Sequence, residues 1–435
     1  MAGGVIGVSV NKELSAFKDF SMQMFYATHL GSKFSGLSCI DTNGEFITEH
    51  NKGRFRKNQK DGKFNVCHGE LIIGHTALKE KQPLEVDCQW GKFALTFSGN
   101  ISNINDLRKQ FSTNGSLFIT NRDVEIMAKI VAKGKNSLDG LKLLYKQVQG
   151  AFSLLVLTKD GIYCARSSEG QTALVLGKKK NNIVVSSTTT GFSNGEYGID
   201  RDIKPGEVVL LKNGDIEKEY QITESSKIQC PTFRWIYSDD PSSTIEGVNV
   251  AEARISIGRE LAKLKPVKAD YVMAVPNSGI YHATGYCLES KIPYMPGLQK
   301  YQFADRSYSQ TTQEERDEEA YLKILVIERL VKGKSVIVVD DSIVRATQMK
   351  MNLIKKLRNA GVKEIHLRIA CPPITKPCRY DFATRSLEEL ATYKYGGPDK
   401  IKEFLEVDSL VFATKEILAK AIGKPLDNLC LYCWS

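Results

Sequence analysis

The sequence predicts two domains in series: an α+β sandwich, then an α/β domain built on a parallel sheet. Three observations predict it. The 435 residues are too many for one ordinary core and suit two domains of roughly 200 residues each. The first half is a succession of short apolar, β-branched segments broken by turns. Beyond about residue 230, apolar strands alternate with amphipathic helices, the pattern of a parallel sheet with both faces covered.

In chain order, strands are expected at Gly4–Val10, Leu71–His75, Phe93–Phe97 and Ala151–Leu157. Two helices fall between them, over residues 14–29 and 122–133, the second with Asp123 and Glu125 in its first turn. In the second half, a strand at Tyr271–Pro276 leads into a helical segment and a short strand at Ile292–Met295. A polar stretch, 300–320, precedes the strand Ser335–Asp340, a helix Gln348–Asn359 and a strand Glu364–Ala370. Ligands of such sheets sit beyond the carboxyl ends of the strands, which directs the search for chemistry.

Composition narrows the function classes. No run of about 18 apolar residues exists, so no membrane span is expected. The N-terminus lacks a basic region before a long apolar stretch, so it does not read as a signal peptide, and the expected compartment is the cytoplasm. The formal charge is +10, but the basic residues are dispersed; the densest cluster, Lys178–Asn182, lies beside a turn. That reads as a solvated basic face, or as attraction for a small polyanionic substrate, rather than as a nucleic-acid surface. Ten cysteines without a secretory signal argue against a disulfide framework. Cys39, Cys67, Cys88, Cys164 and Cys287 are accordingly expected as buried free thiols.

The most specific motif is the twelve-residue run from Val336 to Thr347. An apolar strand ends in the vicinal acids Asp340 and Asp341, and a loop of small and hydroxyl residues leads to a helix start. Backbone N–H groups there can cradle a phosphate, with hydroxyls from Ser342 and Thr347. The carboxylates can hold a ribose diol or position a metal-bound diphosphate. An acidic pair after a strand can also simply cap the next helix.

In order, these residues resemble the phosphoribosylpyrophosphate signature of type I phosphoribosyltransferases, in the form found in the glutamine amidophosphoribosyltransferase family. The resemblance runs along nearly the whole chain. It implies a diphosphate-side loop at Val275–Ile280, with Asn277, Ser278 and Gly279, followed by Gly285–Cys287. It further implies a substrate-covering loop at Arg306–Arg316, a basic residue at Lys323, and closing elements at Cys371–Cys378 and Asp408–Leu410. Ser342, Ile343, Val344, Arg345, Ala346 and Thr347 would cradle the 5′-phosphate. Asp340 and Asp341 would hold the ribose and stabilise positive charge developing at C1. Mg²⁺, on Asn277, Asp340 and Asp341, would neutralise diphosphate together with Arg306 and Lys323. Two positions depart from the family. Asn277 replaces an acid, and Ala346 replaces a glycine, which would cost roughly 1 kcal/mol if that backbone has positive φ.

A C-terminal C-x-x-C, Cys430 and Cys433, suits zinc or redox chemistry equally when taken alone. In the family's iron–sulfur branch, cysteines at the positions of Cys230, Cys378, Cys430 and Cys433 hold a 4Fe–4S cluster, with a structural role implied. The resemblance also assigns residues 1–229 to an N-terminal-nucleophile-hydrolase-like αββα sandwich and 230–435 to the phosphoribosyltransferase domain. The family's glutaminase begins with a nucleophilic cysteine, whose place is taken by Gly3; removal of Met1 would expose Ala2, which has no nucleophilic atom. The family's glutamine-clamping arginine is Ala77. Its oxyanion Asn-Gly reads Ser98–Gly99, and loss of such a donor costs about 2.7–4 kcal/mol. Asp123 persists where the substrate amine is bound. Glutamine hydrolysis is therefore expected to be absent.

The expected reaction is transfer of ammonia to phosphoribosylpyrophosphate, the ammonia free or from a separate source, with release of diphosphate and service in purine biosynthesis. Two alternatives stand beside it. The site could accept another amine, for which the unusual Gln302–Asp305 is the pointer, or the chain could be a non-catalytic donor sensor or partner subunit. A homo-oligomer is implied by the resemblance.

Overall fold

The computed structural model describes residues 3–11, 15–224, 228–301, 321–380, 384 and 386–435. The chain divides into two compact units, Met1–Pro231 with Ser242–Gly247, and Thr232–Pro241 with Val248–Ser435.

Two antiparallel sheets make the first unit. One contains β1 (Gly3–Val10), β2 (Phe34–Ile40), β3 (Phe46–Lys52), β4 (Leu71–Ala77), β9 (Val175–Lys179), β10 (Asn182–Ser186) and β11 (Gly198–Asp202), in the order β11-β9-β10-β1-β4-β2-β3. The other contains β5 (Leu84–Cys88), β6 (Gly91–Ile101), β7 (Gly150–Thr158), β8 (Gly161–Arg166), β12 (Glu207–Lys212) and β13 (Asp215–Gln221), in the order β13-β12-β8-β7-β6-β5. Val5, Ile73, Leu155, Ile162, Leu176, Val185 and Val209 fill the space between the sheets. Helix α1 (Phe17–Tyr26) and α2 (Phe55–Lys60) cover the first sheet through Phe20, Met24 and Phe55. Helices α3 (Ile104–Thr113), α4 (Asp123–Ala132) and α5 (Ser137–Gln147) cover the second through Phe111, Met127 and Leu141. The result is the expected αββα sandwich. Sheets covered on both sides explain why β1 is buried at every position.

Differences from the sequence reading have local causes. The helix expected over 14–29 is described from Phe17, ends at Tyr26 and passes into a 3₁₀ turn, Ala27–His29. Helices α3 and α5 were not anticipated, although Asn136 caps α5 by accepting Asp139 N–H at 2.9 Å. Cys39 and Cys67 are not free thiols but a disulfide. Strand β2 and the approach to β4 bring the two buried side chains together, a pairing that residues 28 apart do not advertise. Cys88, Cys164 and Cys287 are free, but of the three only Cys164 is buried.

In the second unit, β14 (Tyr271–Ala274), β17 (Ser335–Asp340), β18 (Glu364–Ile369) and β19 (Ser409–Phe412) form a parallel sheet in that order. A separate antiparallel ribbon pairs β15 (Leu298–Lys300) with β16 (Ile324–Val326). Instead of a strand at Ile292–Met295, a single bridge joins Tyr294 to Val272. The helix expected from Gln348 starts at Ala346 and reaches Asn359 through a π turn at Lys350–Ile354.

Candidate functional site

The acid pair sits at the carboxyl end of β17, a central strand of the parallel sheet. Both carboxyls are buried, Asp340 at 8% and Asp341 at 5% exposure. Ser278 Oγ donates to Asp340 Oδ1 at 2.6 Å, and Ser342 Oγ to Asp341 Oδ1 at 2.6 Å. Each acid is thus oriented by a hydroxyl from a different loop. Gly279 lets the Ser278 loop approach: a Cβ there would lie 2.1 Å from Val339 O. Burial raises Asp340 to about 6, opposed by the hydrogen bonds from Ser278 and from its neighbour's N–H. Burial raises Asp341 further, with the Asp340 charge adding to it and Ser342 and Arg254 opposing. A cation placed against the pair would restore its ionised form.

Arg254 is the partner that sequence reasoning missed. It lies on a helix, Val250–Leu264, far upstream of the motif, and is 4% exposed. Its Nε donates to Trp235 O at 2.9 Å and an Nη to Asp239 O at 2.7 Å, which fixes a guanidinium in the field of Asp341. An i,i+4 pattern cannot reveal such a residue; only the tertiary fold brings it to the acid pair.

The loop expected to cradle phosphate follows. Ile343 and Ala346 are buried, whereas Ser342, Val344 and Arg345 are half-buried and Thr347 is exposed. Ala346 is the first residue of the helix and has no positive φ, so the strain expected from replacing glycine does not arise. The loop is held from behind: Ala391 N donates to Val344 O at 2.8 Å, Arg345 pairs with Glu389 at 2.5 Å, and Thr347 Oγ1 lies 3.2 Å from Tyr395 OH.

Asn277 is exposed, follows a cis peptide after Pro276, and lines a cavity of about 470 Å³ with Ile280, Tyr294 and Lys300. Lys323 is half-buried at the foot of the β15–β16 ribbon, where its carbonyl accepts Tyr301 N–H at 2.8 Å. Arg306, the rest of the Arg306–Arg316 loop and Gln302–Asp305 lie outside the described residues, as does Ala2.

In the first unit, β1 and β4 set Gly3 directly opposite Ala77. Gly3 has φ +132°, and a Cβ built on it would lie 2.2 Å from Thr76 O and 2.6 Å from His75 Nε2. Ser98 Oγ donates to Gly3 O at 2.5 Å, so that hydroxyl is already engaged. Gly99 is held close to β7, where a Cβ would meet Ala151 O at 1.9 Å. Asp123 opens α4; burial raises its carboxyl, with Arg108 and Lys79 opposing. Its N–H is capped by Glu80 at 3.0 Å, and burial and then the Asp123 charge raise Glu80 in turn. His75 is fully buried and lowered to about 3 by that burial, and neither ring nitrogen has a partner among the described residues.

The Cys433 thiol is hydrogen-bonded to Cys378, which raises it first, with burial and the neighbouring Cys430 and Cys371 acting in the same direction. Thr232, two residues after Cys230, donates to Cys430 O at 3.0 Å, and Phe233 stacks on Trp434 with centroids 5.4 Å apart. Among the described residues, no three His, Cys, Asp or Glu side chains are arranged to hold a metal ion as they stand.

Residues 68–194 match a family profile described as a glutamine amidotransferase domain. The amidophosphoribosyltransferase of Methanocaldococcus jannaschii is 31% identical, over 99% of this chain and 96% of the relative. A chloroplastic amidophosphoribosyltransferase of Arabidopsis thaliana is 31% identical, over 99% and 77%. Among solved structures, the glutamine phosphoribosylpyrophosphate amidotransferase of B. subtilis, complexed with ADP and GMP, superposes with a TM-score of 0.91 at 29% identity, over 99% of this chain and 96% of that one.

Proposed function

This chain belongs to the amidophosphoribosyltransferase family, and we propose that its second unit transfers ammonia to C1 of phosphoribosylpyrophosphate while its first unit no longer hydrolyses glutamine. The observation that carries the transferase reading is the hydroxyl-oriented acid pair at the end of β17, leading directly into the phosphate loop.

The 5′-phosphate lies against the backbone of Ser342–Thr347, where N–H groups at the helix start face it. The Asp340 and Asp341 carboxylates hold the ribose hydroxyls. As the C1–O bond to diphosphate breaks, their charge stabilises the cation at C1. The amine lone pair attacks C1 from the opposite face, the electron pair of the broken bond leaves with diphosphate, and the amine sheds a proton to solvent. Lys323 would offset diphosphate charge, with Arg306, which lies outside the described residues, as the second cation. The all-oxygen donor set at the acid pair fits Mg²⁺, and a bound ion would neutralise diphosphate and the buried carboxylates together. Ala346, being helical, brings no backbone strain to the loop, so of the two departures from the family Asn277 is the one that favours a non-catalytic reading.

Three positions support loss of the glutaminase. Gly3 has no nucleophile and no room for one, Ala77 offers no cation, and the Ser98 hydroxyl is bound to Gly3 O. The match over residues 68–194 is a likeness of the domain and does not restore those groups. Cys230, Cys378, Cys430 and Cys433 would hold a 4Fe–4S cluster, which supplies a structural fastening for the C-terminal tail. The Cys433–Cys378 contact and the Thr232–Cys430 bond support that set. Assembly into a homo-oligomer in the cytoplasm, fed by a separate ammonia source, completes the proposal.

The test is diphosphate release from anaerobically purified protein with donor and Mg²⁺, comparing ammonium, glutamine and no amine. Release with ammonium alone supports the reading. Glutamate formation from glutamine above the protein-free control would overturn the claim about the first unit. Silence with ammonium despite donor binding would shift the reading to another amine.

A further inference from the structure

Between Lys52 and Lys63 the first unit carries six cations, Lys52, Arg54, Arg56, Lys57, Lys60 and Lys63, against the single acid Asp61, a richer basic run than Lys178–Asn182. All six are exposed. The residues between and after them are pinned inward. Phe55 is fully buried and stacks on Phe64 with centroids 4.8 Å apart. Asn58 Nδ2 donates to Ser35 Oγ at 3.1 Å and to Lys52 O at 2.9 Å, and Lys63 N donates to Asn58 O at 2.9 Å. Cys67 ties the far end to Cys39 of β2. The cations therefore stand on a fixed segment, which loses little freedom when a ligand binds.

The chain does not neutralise them. Among the described residues their one ion pair is Lys63 with Asp61, at 3.8 Å. Lys178 and Lys179 differ: the first reaches Asp200 and Asp215, the second Asp19 and Glu196. Like charges fixed this close repel one another, and a polyanion from outside removes that repulsion. Two kinds of polyanion fit poorly. Both aromatic rings of the segment, Phe55 and Phe64, are buried, so no ring is offered to stack on a base. Within residues 52–67 the only large apolar side chain exposed is Val66, too little to anchor in lipid.

A peptide fits better, because Lys52 is also the last residue of β3, the edge strand of its sheet. Among the described residues β3 makes backbone bonds to β2 alone, so its outer edge can take a further strand. Cations at such an edge deter pairing with another copy of itself and admit a strand of opposite charge. Asp41 and Glu45 precede β3, so the carboxylates of an added strand belong at the Lys52 end. We propose that the edge of β3 and the Lys52–Lys63 surface together dock an extended, carboxylate-rich segment of a partner protein.

The experiment uses the full chain and a labelled peptide, a valine–threonine stretch the length of β3 with a run of glutamates at one end, made in both chain directions. Binding is followed by fluorescence anisotropy. The native chain binds one direction, and raising salt from about 0.05 to about 0.2 M weakens it at least about threefold. Arg54→Gln with Lys57→Gln weakens it about tenfold, as does Arg56→Gln with Lys60→Gln, a second reading of the same surface should the first pair misfold. Lys178→Gln with Lys179→Gln leaves it within about twofold. N-methylation of alternate residues in the valine–threonine stretch, made in both registers, weakens one register about tenfold, since those N–H groups face β3. No binding at low salt, or unweakened binding by both N-methylated peptides, would overturn the proposal. So would an oligouridylate of equal charge, or a phosphatidylserine vesicle, that binds as tightly as the peptide.

Discussion

At Asp340 and Asp341 the chain buries two adjacent carboxyls, an arrangement that disfavours their ionised form. Burial raises Asp340 to about 6 from an ordinary value near 3.8. An acid raised in this way binds protons preferentially in the folded state, so stability falls as pH rises from about 4 through 6. Asp340→Asn removes that charge and is expected to stabilise the unliganded protein by about 1–3 kcal/mol at pH 8, a gain that fades toward pH 4. On the proposed mechanism the same change is expected to lower turnover at least about a hundredfold, since the carboxylate would no longer face the cation at C1. Urea unfolding at the two pH values, together with diphosphate release, checks both halves; equal stabilisation at both pH values would refute the electrostatic origin. Gly3 is a different case, because the proposed absence of glutamine hydrolysis there has a steric as well as a chemical ground. Gly3→Cys forces a side chain into Thr76 O and His75, so it is expected to cost about 1–3 kcal/mol and to restore no glutamate formation.

Among the elements, β17 and its following loop were legible in the sequence because an apolar run, two acids and a hydroxyl-rich turn are contiguous. The flanks of the site were less so. Helix α5 carries its own cap at Asn136, yet its apolar spacing is broken by Gly140, which is present because α4 packs against it: a Cβ there would lie 2.1 Å from Val131 O. The π turn at Lys350–Ile354 shifts the face that this helix buries, and no residue type announces it. The Cys39–Cys67 bond was hidden for another reason, since composition speaks only of the compartment and the bond depends on β2 meeting the approach to β4. Closing a loop of that length stabilises by about 3–4 kcal/mol through the unfolded state. Reductant, or Cys39→Ser, is therefore expected to lower the stability of the first unit by about that amount. Thiol titration of the denatured, unreduced protein should find two fewer free thiols than cysteines; a full complement would show that the bond is absent in solution.

For the molecule as a whole, motif spacing pointed to an acid pair at the end of an apolar strand and to the loop and helix start that follow it, which is where the structure has them. It did not supply Arg254, whose partners Trp235 and Asp239 come from another segment. Nor did it anticipate that the chain, after leaving the first unit at Pro231, returns to it through Ser242–Gly247. That return is held by polar contacts that composition cannot rank. Ser243 Oγ lies 2.8 and 2.9 Å from the hydroxyls of Thr188 and Thr190, Thr244 N donates to Thr189 Oγ1 at 2.7 Å, and Glu246 pairs with Arg166 at 2.5 Å. Arg166 is 1% exposed, and its other donors go to the carbonyls of Gly170, Thr172 and Ile203, so Glu246 brings the negative charge that its guanidinium needs. Removing one partner of a buried pair leaves the other charge uncompensated, at a cost of about 3–5 kcal/mol, whereas replacing both with apolar groups is close to neutral. Glu246→Gln is thus expected to destabilise the first unit severely, and Arg166→Met with Glu246→Leu to recover most of the loss. Chemical denaturation of the full-length variants decides it: if the double variant is as weak as the single one, the segment is held by its hydroxyl contacts and backbone bonds, and the ion pair contributes little.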